Sequence, residues 1–297
     1  MQAITRRRFM AISAVGLALP GRVMAAPVYQ WRGIALGAEA SILVQHPQAE
    51  ALVARAVAEV ARLEGVFSLY RDSSLMQLNA AGRLEAPPFE LLECLALCGQ
   101  LHAATGGRFD PTVQPLWALY AEKFSAGSAP TEADIAAVLP VVGWDGVAFD
   151  SAAVRLRLGA ALTLNGVAQG WIADRIASML RDEGLVDVLV NMGEMRALEG
   201  RGWPVQIATG GEVDLVGRGL ASSAALGTVF DAAGKVGHIL DPRTGLPATA
   251  RWRGVTVSAP LAAVADGLST AACLMESREE IEAALAGFDG ARLEALA

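Results

Sequence analysis

The sequence predicts an α+β fold, built as a single integrated domain with a mixed sheet and packed helices. Segments of helical periodicity interleave with segments of strand periodicity, without the steady β-α-β alternation of a doubly wound sheet. No internal repeat and no low-complexity linker divides the 297 residues. With 53% hydrophobic residues, the chain can bury a substantial core. We therefore expect one folding unit after the N-terminal segment.

The N-terminal segment has the charged, apolar and small-residue order of an export signal. Three arginines at positions 6–8 precede an apolar stretch that ends at Leu19, and small residues follow at Ala25 and Ala26. This stretch is shorter than the roughly 20 residues that span a bilayer, which favours export over a permanent membrane span. Arginine pairs ahead of Phe9 favour the twin-arginine route. We expect residues 1–25 to be the signal and residues 26–297 to be a periplasmic domain.

The net negative charge argues against a nucleic-acid partner. The chain has 24 basic and 31 acidic residues, and loss of residues 1–25 would remove four arginines and no acid, changing the net charge from −7 to −11. An acidic protein repels phosphate backbones and anionic membranes, so we expect no nucleic-acid partner. The three cysteines, Cys94, Cys98 and Cys273, have no zinc-site spacing, and we expect them to be buried apolar residues.

The first half of the domain predicts one strand followed by helices. Alternating apolar residues predict a strand over residues 34–44. Apolar positions on one face predict a helix over residues 49–63, and a second helix over 89–105 is stopped by two glycines. Thr131 can cap a short helix that ends near Leu139.

The second half predicts shorter elements. A hairpin is expected from 147–150 and 154–158, and a helix over 168–183 ends at Gly184. The other predicted strands cover residues 162–164, 186–190, 204–208, 236–240 and 253–259. Two final helices are expected over residues 263–275 and 278–286.

Two segments near the C-terminus have residues suited to phosphate and metal chemistry. In residues 238–245, His238 and Arg243 flank a rigid Asp-Pro turn, and a guanidinium binds phosphate oxygens through a planar fork. In residues 265–270, Asp266 and Thr270 are four residues apart and so share one face of a helix. Carboxylate and neutral oxygens are the ligands of Mg²⁺. A surface turn, a structural histidine and a helix cap at Asp266 are the alternative interpretations.

Two further loops could contribute to a ligand site. Asn165 and Gly166 join a predicted strand to the helix that contains Gln169, where free N–H groups favour anions and carbonyls can face a cation. Phe109, between Arg108 and Asp110, could cover a planar ligand. Ordinary connecting loops would have the same local sequence.

Taken together, these segments resemble the ApbE family of flavin transferases, which move FMN from FAD onto a protein. The similarity runs in family order and covers nearly all of residues 26–297. Its segments are Leu36-Gly37-Ala38, residues 67–71 with Asn79, residues 109–116, residues 164–174, and the two C-terminal segments.

The resemblance implies roles for individual residues. It implies a metal site formed by Asp266, Thr270 and a main-chain oxygen of Gly166. His238, Arg243 and Asp266 become the candidates for catalysis near the FAD pyrophosphate. The implied flavin contacts are Leu36, Tyr70, Arg108, Phe109, Asp110, Gln169 and Leu240.

The implied reaction is Mg²⁺-dependent transfer of FMN from FAD to a Thr or Ser hydroxyl of an exported acceptor protein, with release of AMP. A Mg²⁺-dependent FAD pyrophosphatase, a non-catalytic periplasmic flavin carrier and a structural accessory subunit remain as alternatives. The chain departs from the family at Thr163, where an acidic residue is usual, at Gln169, and at Gly193-Glu194, which replaces Gly-Gly-Asp. The missing charge at Thr163 leads us to expect weaker metal binding.

Overall fold

The computed structural model describes residues 27–297. The predicted export signal, residues 1–25, and the first residue of the predicted domain lie outside the described residues. Within residues 27–297, no helix combines the length and the apolar character that a membrane crossing requires.

Eight α-helices and twelve β-strands are present in residues 27–297. The helices are α1 (Ala49–Phe67), α2 (Ser74–Ala81), α3 (Phe89–Ala104), α4 (Gln114–Ser125), α5 (Glu132–Val138), α6 (Ala168–Asp182), α7 (Ala262–Ala272) and α8 (Arg278–Leu285). The strands are β1 (Tyr29–Ala35), β2 (Ala38–Val44), β3 (Arg83–Glu85), β4 (Val147–Phe149), β5 (Ala153–Leu156), β6 (Val188–Asn191), β7 (Met195–Ala197), β8 (Trp203–Gln206), β9 (Glu212–Leu215), β10 (Gly219–Ser223), β11 (Val255–Ala259) and β12 (Arg292–Leu296).

The central element is a seven-stranded sheet in the order β1-β2-β6-β7-β10-β11-β12. Smaller sheets are formed by β3-β5-β4 and by β8-β9. The predicted α+β single domain is confirmed, but the strand pairing is not mixed, because every ladder in the described residues is antiparallel. Neighbours such as β1-β2 and β6-β7 are joined by turns of two or three residues, which are too short for a parallel crossover.

The strand predicted over residues 34–44 is a hairpin instead. Leu36 and Gly37 form its two-residue turn, with φ values of 46° and 84°. Turns of this kind, with two positive φ angles, match the twist of the strands that they join. Apolar residues continue to alternate through the turn, so periodicity alone predicted one strand, and Gly37 was the available signal for a turn.

Two other predicted strands are absent from their positions. Residues 162–164 are held by a side chain, since Asn79 donates to the Leu162 carbonyl at 2.8 Å and accepts from its N–H at 2.7 Å. Residues 236–240 make only isolated bridges, at Gly237 and Leu240. The other predicted helices and strands are confirmed with shifted ends, and the three cysteines are buried free thiols.

Helix α7 lies at the centre of the domain. Ten of its 11 residues are buried, and it packs against α3, α6, β10 and β11. Its N-terminus is bound by Asp174 of α6, whose carboxylate accepts the N–H groups of Ala262 and Ala263 at 2.9 Å each. The Arg196 Nε of β7 lies 3.2 Å from the same carboxylate. A negative charge at this end also complements the helix dipole.

Two glycines let neighbouring backbones reach the start of α7. A Cβ atom on Gly170 would lie 2.5 Å from the carbonyl oxygen of Ala262, and one on Gly219 would lie 2.3 Å from the Ala262 Cα. Real Cβ atoms do not approach backbone this closely. Helix α6 and strand β10 therefore need glycine where they meet α7.

The replacement Gly170→Ala tests this contact. We expect it to lower the free energy of unfolding by about 1–3 kcal/mol, because the new methyl group displaces backbone at the start of α7. The matched control is Gly65→Ala in α1, where nothing lies within 4 Å of the added methyl group. That control should raise the free energy of unfolding by about 0.5–1 kcal/mol through helix propensity. Urea unfolding measures both, and equal changes in the two variants would contradict the packing argument.

Candidate functional site

A cavity of about 280 Å³ brings together residues from both ends of the chain. Its walls come from the β1-β2 turn, the loop before α4, the segment before α6, the end of β10, residues 238–240 and helix α7. The predicted site residues that line it are Leu36, Tyr70, Arg108, Phe109, Asp110, Gly166, Gln169, His238, Leu240, Asp266 and Thr270. The structure thus assembles every predicted site residue except Arg243.

Arg243 is engaged by its own turn. Its Nε donates to Asp241 Oδ1 at 2.9 Å and its Nη2 donates to Asp241 Oδ2 at 2.6 Å, while 44% of its side chain is exposed. The guanidinium does not line the cavity. The guanidinium, which the sequence predicted to bind phosphate, is instead paired with the Asp241 carboxylate. Arg243 would have to break this ion pair to act in the cavity.

Two carboxyl groups define the polar corner of the cavity. Asp266 is only 3% exposed, and burial raises its pKa to about 8, opposed by a 3.4 Å contact from the Gly170 N–H. Glu194 lines the same cavity, and burial followed by the charge of Asp266 raises the pKa of its carboxyl, against a hydrogen bond from the Ser222 N–H. Two buried carboxylates are costly without a cation, so this corner fits a positive ion.

The neutral oxygens of the same corner suit a hard ion. A Cβ atom on Gly166 would lie 3.2 Å from the Thr270 Oγ1, so this backbone and this hydroxyl are in contact. No group of three or more His, Cys, Asp or Glu side chains that could hold a metal occurs within residues 27–297. The available donors are therefore carboxylate, hydroxyl and carbonyl oxygens, which fit Mg²⁺ completed by water or phosphate and do not fit a zinc site.

His238 has a fixed tautomer. Its Nδ1 lies 3.0 Å from the carbonyl oxygen of Thr228, and a carbonyl can only accept, so Nδ1 carries the proton. Burial lowers the pKa of this imidazole below its ordinary value of 6.5, with the Thr228 hydrogen bond acting in the opposite direction. The neutral ring therefore has an unprotonated Nε2, which can accept a proton from a ligand.

Asp110 shapes the wall of the cavity. Its Oδ1 accepts from the Thr112 N–H at 2.8 Å and from the Thr112 hydroxyl at 2.6 Å, and its Oδ2 accepts from the Trp144 N–H at 3.0 Å. These bonds fix the turn that follows Phe109, which is 5% exposed and packs near Gly166. The Asp110 carboxylate is thus hydrogen-bonded within the protein, and its structural role is to hold Phe109 in place.

The mouth of the cavity is aromatic and charged. Tyr70 is 55% exposed and is hydrogen-bonded to the Asn165 side chain. The turn at Leu36 is held by Glu64, whose Oε1 accepts the Leu36 N–H at 2.9 Å. Arg108 reaches from the rim to Glu280, with Nη2 3.2 Å from Oε2.

Several residues that line the cavity received no role from sequence patterns. Glu194 was noted only as a departure from the family pattern, although it lines the same cavity as Asp266, and burial together with the Asp266 charge raises the pKa of the Glu194 carboxyl. Ser222, Ser223 and Thr228 lie in a stretch without apolar alternation, and their small hydroxyl side chains were the only signal. Thr163, whose missing charge was expected to weaken metal binding, also lines the cavity.

Comparisons with known proteins show the family of this chain. The model of the ApbE family matches residues 36–293. The FAD:protein FMN transferase of Klebsiella pneumoniae is 29% identical over 267 residues, covering 81% of this chain and 74% of that protein. The protein of the same name from Haemophilus influenzae is 30% identical over 240 residues, covering 72% and 69% respectively.

Solved structures show the same fold. The apo form of Pseudomonas stutzeri flavinyl transferase ApbE superposes with a TM-score of 0.78 at 26% identity, over 90% of each chain. The ApbE protein of Thermotoga maritima superposes with a TM-score of 0.78 at 25% identity, over 90% of this chain and 93% of that one. With a family match over almost the whole described domain, this chain belongs to the ApbE family.

Proposed function

We propose that this protein transfers FMN from FAD to a Thr or Ser hydroxyl of an exported acceptor protein and releases AMP, with Mg²⁺ as its metal. Its family and its relatives support FAD:protein FMN transferase activity. The observation that carries the proposed chemistry is the cavity itself, which Asp266, Glu194, Thr270 and His238 all line.

The metal would be held by oxygens of this corner. The Asp266 carboxylate, the Thr270 hydroxyl and the Gly166 carbonyl are the proposed ligands, and Glu194 adds a second negative charge in the same cavity. When bound, Mg²⁺ neutralises charge on the oxygens of a pyrophosphate. The burial of the two carboxylates supports a site that gains stability by taking up a cation.

His238 is the proposed proton acceptor. The hydroxyl oxygen of the acceptor forms a bond to the FMN phosphorus, the bond from that phosphorus to the AMP oxygen breaks, and the hydroxyl proton passes to His238 Nε2. The Thr228 carbonyl keeps the ring proton of His238 on Nδ1, so Nε2 has a free electron pair and can accept the hydroxyl proton.

The flavin ring would lie against the apolar part of the wall. Phe109, Leu36 and Leu240 present flat or aliphatic surface to the cavity, and Tyr70 stands at its mouth. A planar ring of mixed polarity fits an apolar pocket that has a few polar groups at its edge. Gln169 and Arg108 supply such groups.

The acceptor and the compartment can be identified together. The export signal predicted over residues 1–25 supports a periplasmic location. Mass spectrometry of periplasmic proteins should reveal an FMN adduct on Thr or Ser that disappears when the gene is deleted. In vitro, modified acceptor with AMP identifies a transferase, free FMN with AMP a pyrophosphatase, and unchanged FAD a carrier.

The replacement Asp266→Asn separates the metal site from the fold. We expect loss of several kcal/mol of transition-state stabilisation, about a 10³-fold fall in the rate of FMN transfer. The melting temperature should stay the same or rise, because burial disfavours the ionised carboxylate that the amide replaces. Asp182→Asn, at the exposed end of α6, is the control. Transfer at the wild-type rate by Asp266→Asn would exclude this residue as a metal ligand.

The rate of transfer should also depend on the protonation of His238. Because burial holds the pKa of His238 below 6.5, the base is neutral at and above that pH, so protonation of His238 should lower the rate only on further acidification. His238→Gln should lower the rate by about 10²–10⁴ and remove this acidic limb. His46→Gln, outside the cavity, should leave rate and profile unchanged. An acidic limb that persists in His238→Gln belongs to another group.

A further inference from the structure

A row of hydroxyl groups connects strand β10 to the proposed metal ligand Thr270. The Ser223 Oγ lies 3.4 Å from the Thr270 Oγ1 and 2.7 Å from the Ser269 Oγ. The Ser269 Oγ donates to the main-chain carbonyl of Asp266 at 3.0 Å. Ser269 is fully buried and Ser223 is partly buried on the cavity wall, so this row connects the interior of α7 to the proposed metal corner.

The direction of the hydrogen bonds in this row follows from its buried end. A carbonyl oxygen can only accept, so the single hydroxyl proton of Ser269 is used on Asp266. Ser269 must then accept from Ser223, which uses the single proton of Ser223. The remaining contact can form only if Thr270 donates to Ser223.

Ser269 has a second effect on Thr270. A threonine hydroxyl in a helix commonly donates to the carbonyl four residues earlier, which for Thr270 is the carbonyl of Asp266. A carbonyl oxygen has two lone pairs, and here one accepts the helical N–H while the other accepts from Ser269. The usual acceptor of a helical threonine is therefore occupied, and Ser223 is the acceptor that remains for Thr270.

We propose that Ser223 and Ser269 are positioning residues that hold the Thr270 proton away from the cavity, so that the lone pairs of the Thr270 hydroxyl are turned toward the metal. This inference rests on the proposed function for the identity of the ligand. It concerns the orientation of the Thr270 hydroxyl before FAD binds. Removal of either serine lets the Thr270 hydroxyl rotate, and a ligand that must be reoriented binds a cation more weakly.

A serine outside the cavity offers the control. Ser178 lies on α6, and its Oγ accepts from Arg181 Nη2 at 2.9 Å. It does not line the cavity, so Ser178→Ala removes a hydroxyl of the same kind without touching the row or the proposed metal corner.

The experiment measures metal binding by the metal-free full-length protein without FAD. Mn²⁺ binding is followed by electron paramagnetic resonance, and Mg²⁺ is titrated as its competitor. We expect Ser223→Ala to weaken binding of both ions about tenfold, as is typical for loss of a residue that orients a ligand. Ser269→Ala should weaken binding in the same direction. Ser223→Thr, which keeps the hydroxyl, should restore affinity to within about threefold, and Ser178→Ala should stay within about twofold of the wild type.

Several results would overturn the inference. Wild-type affinity in Ser223→Ala, equal weakening in Ser178→Ala, failure of Ser223→Thr to rescue, or no ion bound by the wild type would each do so. Should Ser223→Ala unfold, Ser269→Ala, which removes a hydroxyl of the row, can be compared with Ser223→Thr, which keeps one. A wild type that binds Mn²⁺ in the expected series but transfers no FMN would refute the proposed function and leave this inference intact.

Discussion

The position of the proposed active site depends on one buried ion pair at the start of α7. Asp174 accepts two N–H groups of the first turn and faces Arg196 from the adjacent strand. Burial raises the pKa of the Asp174 carboxyl to about 6, opposed by the two N–H groups and by Arg196. These contacts fix one end of the helix that presents both Asp266 and Thr270. The positions of Asp266 and Thr270 in the proposed metal corner therefore depend on an interaction between α6, α7 and β7.

The composition of α7 makes that arrangement possible. Its sequence is almost entirely small side chains, and the glycines at 170 and 219 let a helix and a strand approach its first turn closely. The same close packing removes water from around Asp266, which raises its pKa and makes a bare charge there unfavourable. Packing and the proposed chemistry thus share a cause, because the tight interior that stabilises the fold also supports the proposed cation site at this corner.

The sequence predicted the long amphipathic elements well and the short ones poorly. Helices such as α6 have a clear apolar face and an identifiable end, and those signals are local. The hairpin at Leu36, the extended segment at Leu162 and strand β10 depend on partners that are distant in sequence, such as the Asn79 side chain. The predicted site residues come from a family resemblance that preserves their order, and motif order does not reveal that the Arg243 guanidinium binds the Asp241 carboxylate. Ser223 could not be found, since its role depends on the direction of a hydrogen-bonded row.

The order of the cavity-lining residues along the chain determines when the cavity can be complete. Its lining includes both the turn at Leu36 and α7, which begins at Ala262. A growing chain therefore contains most of the proposed flavin contacts before it contains Asp266 and Thr270. A fragment of this chain that lacks α7 would therefore lack two of the three proposed metal ligands.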